Sequence, residues 1–267
     1  MYSVNRNDSI VTHIVMSITL GIKSLMYSKK WFIYIILSLA PFLFSIASSD
    51  RLGGNFNGLQ AFISYTMDNQ FGFFYVFGVL LLALPVSSDE ITDHVMDLFL
   101  IRPVYKEVLF FTRYFVLVLA NTVINSFLVI FCYVYYYTVD NRDMFNREDL
   151  NVLFGVLIFY VFANLLYSAL FLSIGFIGQR GFGIGVFVAI VELFFLNFLF
   201  LSDSALVPRT NLKIIAHQIL GDNFIDTSTS NFIPSLSSYL NALLYVFGVT
   251  IALLVIGLLY FRNRDFS

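Results

Sequence analysis

The sequence predicts an all-α membrane protein with six transmembrane helices. Its 267 residues are 59% hydrophobic and only 12% charged, with a mean hydropathy of +0.83. Soluble domains carry about 25% charged residues. Long apolar runs also recur along the whole chain, and an apolar surplus of this size indicates that lipid, rather than water, is the solvent.

Composition also excludes other classes of protein. The net charge of −2 provides no basic surface for nucleic acid, so we expect no nucleic-acid partner. The single cysteine, Cys132, lies in an apolar run. It excludes an intrachain disulfide and a cysteine-based metal cluster, and we expect a buried, inert thiol. The N-terminus lacks the charge and cleavage pattern of a signal peptide, so we expect the first apolar run to be retained.

Six apolar runs are long enough to be membrane spans, since about 20 helical residues cross the roughly 30 Å of hydrocarbon in a bilayer. They are residues 31–48, 71–86, 114–139, 152–177, 182–201 and 239–261. The second run is short and ends at Pro85, so we expect its helix to extend back into the preceding loop. The chain thus reads as one transmembrane domain, 1–267. Its parts are an interfacial helix (1–30), spans one to five (31–201), an outer loop (202–238), and span six with a tail (239–267).

The distribution of Lys and Arg sets the orientation. Both termini are predicted on the cytoplasmic side, since this places most of the fifteen basic residues inside. Within the outer loop, residues 213–220 predict a short amphipathic helix. Residues 10–28 have an apolar stripe interrupted by His13 and Lys23, which favours a helix lying along the inner interface. A seventh span is the alternative.

The most informative segment is residues 87–106, between the second and third spans. Ser87 and Glu90 fit a capping box at a helix start. Apolar residues then fall on one face, and Asp89, Glu90, Asp93 and Asp97 on the other. Pro103 ends this helix and favours a turn at Arg102. The segment is therefore predicted to be an amphipathic helix on the cytoplasmic surface, which either docks a partner or lies passively at the interface.

This segment resembles the signature region of permease subunits of type-2 ABC exporters. That pattern is a Glu, a turn of apolar positions, Pro, then Arg or Lys, and a second basic residue seven positions later. Here these are Glu90, Pro103, Lys106 and Arg113. His94, Val95 and Tyr105 stand where the family often has Gly, Thr and Ser. The chain's last residues resemble the family's aromatic and basic ending at Phe261, Arg262, Arg264 and Asp265.

The resemblance implies a coupling role rather than catalysis. In such exporters the loop between spans two and three docks on a separate ATPase subunit, which binds ATP and Mg²⁺. Two ATPases then drive two permeases, so a second copy or a paralogue of this chain is expected. The implied ATPase contacts are Asp89, Glu90, Asp93, Asp97, Arg102, Pro103, Lys106, and Gln179 with Arg180 in the short inner turn. The sequence contains no phosphate-binding loop, so this chain is expected to bind no cofactor.

Polar residues within the spans form a second group of candidates. Glu192 lies near the middle of the predicted fifth span, with Asn197 about a turn further on. A charged, unpaired carboxylate there costs several kcal/mol, so it should face protein or water. It either lines a translocation path or a dimer seam, or serves packing alone. Asn121, Asn125 and Asn164 are predicted to form hydrogen bonds between helices, and Arg113 to extend to the interface. The tyrosines of residues 133–137 are predicted to form an aromatic belt.

Two other functions remain open beside export. An intramembrane enzyme would need a catalytic group, but His13, His94 and His217 are scattered and no paired intramembrane carboxylates occur. We therefore predict no catalytic residue and no metal site. A membrane anchor or sensor with a permease fold is the other alternative. The sequence does not indicate the substrate.

Overall fold

The computed structural model describes residues 6–49, 59, 62–63, 65–87, 106–140, 147–192, 208–220 and 236–263. Nearly all of them are helical, which confirms the predicted all-α class. We number the α-helices in chain order: α1 (Arg6–Tyr27), α2 (Lys30–Ser49), α3 (Tyr75–Val86), α4 (Lys106–Asp140), α5 (Arg147–Gly175), α6 (Gln179–Ile190), α7 (Pro208–Leu220) and α8 (Leu236–Asn263). A π-helical segment, Tyr65–Phe74, runs directly into α3, which confirms that the second predicted span extends backwards.

In the part of the chain that the structure describes, three helices are long and apolar enough to cross a membrane. They are Lys106–Thr138, Asp149–Gly175 and Tyr239–Asn263, and they coincide with the third, fourth and sixth predicted spans. The other three predicted spans overlap shorter apolar helical stretches, Lys30–Leu39 within α2, Tyr75–Val86 and Arg180–Ile190.

The centre of the bundle is α5. It contacts α3, α4, α6, α7 and α8, and 61% of its most apolar stretch is buried, against 22% for α8. Small residues allow this close approach: Gly155 faces Leu220 of α7, and Ala163 and Ala169 are fully buried. In contrast, α4 and α8 present rows of large apolar side chains outwards: Phe111, Phe115, Leu119, Val123, Phe127, Leu244, Ile251, Val255 and Leu259. Such outward faces suit a lipid environment.

The first helix packs against the bundle through polar contacts. Ser17 shares a hydrogen bond of 2.6 Å with Thr112, and Ser24 donates one of 2.7 Å to the carbonyl oxygen of Pro85. Arg113 does not extend to the interface as predicted, because its side chain is fully buried and donates to the carbonyl oxygen of Ser17 at 2.6 Å. Gly21 makes room for it, since a Cβ there would lie 2.6 Å from Arg113 Nη1.

Two local predictions need correction. Ser87 lies at the end of α3, where its hydroxyl donates to the carbonyl oxygen of Ala83 at 2.6 Å; Glu90, its predicted capping partner, lies outside the described residues. Three tyrosines of the predicted belt, Tyr133, Tyr136 and Tyr137, are buried. They pack inwards because their rings find aromatic partners, including Phe62 and Tyr65.

We predict that Gly78→Ala destabilises the protein. The ring of Tyr34 lies directly on Gly78, and an added Cβ would be 1.8 Å from Tyr34 Cε2. Overpacking of this kind costs about 1–3 kcal/mol, which outweighs the gain of about 1 kcal/mol in helix propensity. The melting temperature in detergent should therefore fall.

The matched control is Gly248→Ala in α8, where an added Cβ meets nothing within 4 Å. It should leave the melting temperature unchanged or raise it. Equal melting temperatures for the two variants would contradict the close contact between α2 and α3.

Candidate functional site

The middle of the bundle contains a polar cluster, which we define as Tyr34, Tyr75, Asn121, Thr122, Asn125, Asn164 and Ser168. Its centre is the amide of Asn164 in α5. The oxygen Oδ1 accepts hydrogen bonds from Tyr75 at 2.8 Å and from Asn125 Nδ2 at 3.1 Å. The nitrogen Nδ2 donates to Thr122 Oγ1 at 3.2 Å. Asn164 thereby joins α5 to both α3 and α4.

The polar cluster continues on both sides of Asn164. The hydroxyl of Tyr34 in α2 donates to Asn125 Oδ1 at 2.6 Å. Asn121 donates from Nδ2 to the hydroxyl of Ser168 at 3.0 Å, adding a further polar link between α4 and α5. The prediction that Asn121, Asn125 and Asn164 bond between helices is therefore confirmed. Sequence reasoning missed Tyr34 and Tyr75, because a tyrosine in an apolar run gives no sign of where its hydroxyl points.

The second feature is an acidic site, which we define as Glu192, Tyr167 and Arg209. Glu192 follows α6 directly and is only 4% exposed. Tyr167 of α5 donates a hydrogen bond to its Oε1. Arg209, in the first turn of α7, is close enough to interact electrostatically with both Glu192 and Tyr167. One carboxylate is therefore bonded to α5 and lies within electrostatic range of a cation on α7.

Arg209 was not predicted from the sequence. It lies in the segment assigned to the outer loop, where the sequence predicted a short helix over residues 213–220. The structure shows a longer helix that packs on α5 and α8. Its last turn contacts α5 at Gly155, and Arg209 in its first turn lies within electrostatic range of Tyr167, about 18 Å further along α5. A cation in the first turn opposes the helix dipole, and Glu192, of opposite charge type, lies within electrostatic range of it.

The polar cluster and the acidic site touch through their aromatic rings. Tyr75, whose hydroxyl binds Asn164, has its ring centroid 5.5 Å from that of Tyr167 in an edge-to-face arrangement. Tyr167 in turn binds Glu192. Polar side chains thus form a nearly continuous band from α2 to α7 across a largely apolar bundle.

The predicted coupling residues are only partly described. Asp89, Glu90, Asp93, Asp97, Arg102 and Pro103 lie outside the described residues, as does Asn197. Lys106 begins α4, and its Nζ donates to the carbonyl oxygen of Arg262 at 3.0 Å. Gln179 begins α6, and Arg180 is exposed beside it.

Lys106 and the short turn before α6 lie at the same end of the bundle. One helical turn after Lys106, the ring of Phe110 packs 5.4 Å from that of Phe176 in the turn. Two glycines shape this turn. Gly178 has a φ of 85°, and a Cβ at Gly181 would lie 2.6 Å from the carbonyl oxygen of Ile174. The turn therefore closes tightly at Gly178, and Arg180 is exposed in the first turn of α6.

We predict that Tyr75→Phe and Asn164→Leu are coupled in a double-mutant cycle of unfolding free energy. Removing the Tyr75 hydroxyl eliminates one hydrogen bond, worth on average about 0.6 kcal/mol between membrane helices. Asn164→Leu should cost more, because it leaves Tyr75, Asn125 and Thr122 without their shared partner. A coupling energy of about 0.6 kcal/mol or more is expected. Val161→Leu, at an exposed position of α5, is the control, and additive effects of the pair would contradict the hydrogen bond.

The comparisons with known proteins add no assignment to this geometry. No family model, no curated protein and no solved structure matches the chain.

Proposed function

We propose that this chain is the permease subunit of a type-2 ABC exporter. It would have six spans and both termini in the cytoplasm, lie in the cell membrane, and use ATP hydrolysed by a separate subunit. The observation that carries the proposal is that the start of α4, with Lys106, and the turn before α6 lie at the same end of the bundle. In the sequence, Lys106 ends the signature segment and Gln179 with Arg180 forms the second implied ATPase contact; an ATPase docking at this end of the bundle would reach both. The absence of a phosphate-binding loop from the sequence supports placing ATP and Mg²⁺ on that partner.

The transporter would contain two ATPase subunits and two permeases, the second being a copy or a paralogue of this chain, surrounded by membrane lipids. An interfacial helix, α1, would precede the first span. Its hydrogen bonds to the start of α4 and to the end of α3 flank the signature segment on both sides. A movement of that segment would therefore displace α1 as well as the spans.

We further propose that Glu192 and Arg209 lie on the translocation path. The carboxylate is buried within a single copy of the chain, which favours the path over the dimer seam. Because α7 is held on α5 at one end by apolar contacts and carries Arg209 at the other, the electrostatic attraction between Arg209 and Glu192 would favour α7 closed against the bundle. Opening the path would separate Glu192 from Arg209.

We predict that an ATPase subunit co-elutes with the chain in mild detergent. Scrambling the order of residues 89–102 should abolish co-elution while the permease remains folded, since that segment supplies most of the predicted contact. The same number of substitutions in residues 222–235, on the predicted outer side, should leave it unchanged. A chain that never retains an ATPase would overturn the exporter proposal and favour the anchor or sensor.

We predict that Glu192→Gln and Glu192→Ala differ in stability but both impair transport. Gln retains an oxygen that accepts a hydrogen bond from the Tyr167 hydroxyl, whereas Ala leaves that buried hydroxyl without an acceptor, at a cost of about 1–3 kcal/mol. Both variants lose the attraction to Arg209, so ATP turnover of the complex in proteoliposomes should fall several-fold in each.

Arg209→Gln should produce the same fall, and combining it with Glu192→Gln should add little. The control is Gln218→Ala, at an exposed position of the same helix. Turnover unchanged in both Glu192 variants would reduce this residue to a packing role.

A further inference from the structure

The end of the bundle that carries Lys106 contains a second cluster, formed by three helix ends. Phe261 of α8 lies with its ring centroid 4.6 Å from Phe176 and 6.2 Å from Phe110, and these last two are 5.4 Å apart. None of the three rings is exposed to solvent. The start of α4, the α5–α6 turn and the end of α8 therefore share one aromatic core.

One turn earlier in α8, the backbone itself is in close contact with α5. A Cβ at Gly257 would lie 2.3 Å from Ser173 Oγ and 3.1 Å from Phe110 Cζ. Ser173 donates a hydrogen bond of 2.9 Å to the carbonyl oxygen of Leu253. A residue larger than glycine would force α8 away from α5, so this position fixes both the distance and the register of the two helices.

Polar groups complete the connection at the surface. Lys106 Nζ binds the carbonyl oxygen of Arg262, one of the carbonyls left unpaired at the end of α8, and its charge suits that end of the helix dipole. Arg262 Nε lies 3.9 Å from Glu107 Oε1. The charge pair is largely exposed and contributes little stability. The pair instead helps to fix the relative position of two helices, because it links the first turn of α4 to the last turn of α8.

The remainder of α8 is less enclosed. Leu244, Ile251 and Val255 face outwards, and the inward face packs on α5 and α7. Helix α8 thus joins the aromatic core at one end, and elsewhere along its length it contacts α7, which carries Arg209. A displacement of its inner end would be passed to α7.

We infer that Lys106, Glu107, Phe110, Phe176, Gly257, Phe261 and Arg262 form a rigid inner-end block through which the two predicted ATPase contacts drive α8. The inference rests on the proposed function for its driving partner. It also explains the chain's aromatic and basic ending, because Phe261 and Arg262 become positioning residues that attach the last helix to the coupling region. The last helix then acts as a lever between the ATPase and the acidic site.

The rigidity of the block is tested first on the isolated chain, by hydrogen–deuterium exchange at the amides of Phe176 and Ile177. Both amides donate backbone hydrogen bonds in the turn, and they belong to a different segment from the mutated one. Phe261→Ala should speed their exchange about tenfold, and Phe261→Tyr should restore it. Leu259→Ala, at an exposed position two residues away, is the control. Unchanged exchange at Phe176 and Ile177 would overturn the inference.

The movement of the block as one unit is tested in the complex with its co-purified ATPase. Glu107→Cys and Arg262→Cys are joined by a short bifunctional thiol reagent in a Cys132→Ser background, and MgATP hydrolysis is measured. The same variant without the cross-linking reagent is the control. Because the two residues are expected to move together, turnover should stay within about twofold of this control.

Inhibition of more than about fivefold would show that α8 must separate from α4 during the cycle, and would overturn the inference while leaving the exporter intact. If no ATPase co-purifies, the proposed function fails instead, and the driving role inferred for the block fails with it.

Discussion

Asn164 makes hydrogen bonds to three side chains on two neighbouring helices, in surroundings that offer little water to replace them. An unbonded polar group in an apolar interior is costly. The helices that carry Tyr75, Thr122 and Asn125 must therefore pack on α5 at one position along its axis and in one orientation about it. Apolar contacts alone would allow them to slide. The polar cluster thereby fixes the register on which the other contacts depend.

Two further contacts use this register. Tyr34 reaches Asn125 only because Gly78 leaves its ring a place against α3. Tyr167, on the same helix as Asn164, donates a hydrogen bond to Glu192, and Arg209 lies within electrostatic range of Glu192. A shift of α5 along its axis would therefore displace side chains of the acidic site as well as those of the polar cluster. The polar cluster and the proposed translocation path therefore both depend on the central helix, α5.

Much of the fold and part of the site were predictable from the sequence. Helices over the third, fourth and sixth apolar runs follow from hydropathy and length, and the asparagines had to bond within the protein because lipid offers them no partner. Arg113 was misjudged because its long side chain suits either the interface or a buried carbonyl, and only the position of α1 decides between them. The cation near Glu192 was missed because Arg209 comes within electrostatic range of it only through the packing of α7.

The sequence by itself determined the all-α class, the apolar surface and the asparagines that bond between helices, because these follow from composition and from a fixed rise per residue. Tertiary structure alone decided which polar groups meet, Arg113 with Ser17 and Tyr34 with Asn125, and that Arg209 comes within electrostatic range of Glu192. It also decided that Phe261 meets Phe110 and Phe176. The physical reason is that these contacts join residues far apart in the chain. Their distances depend on how whole helices pack, and no local pattern encodes that.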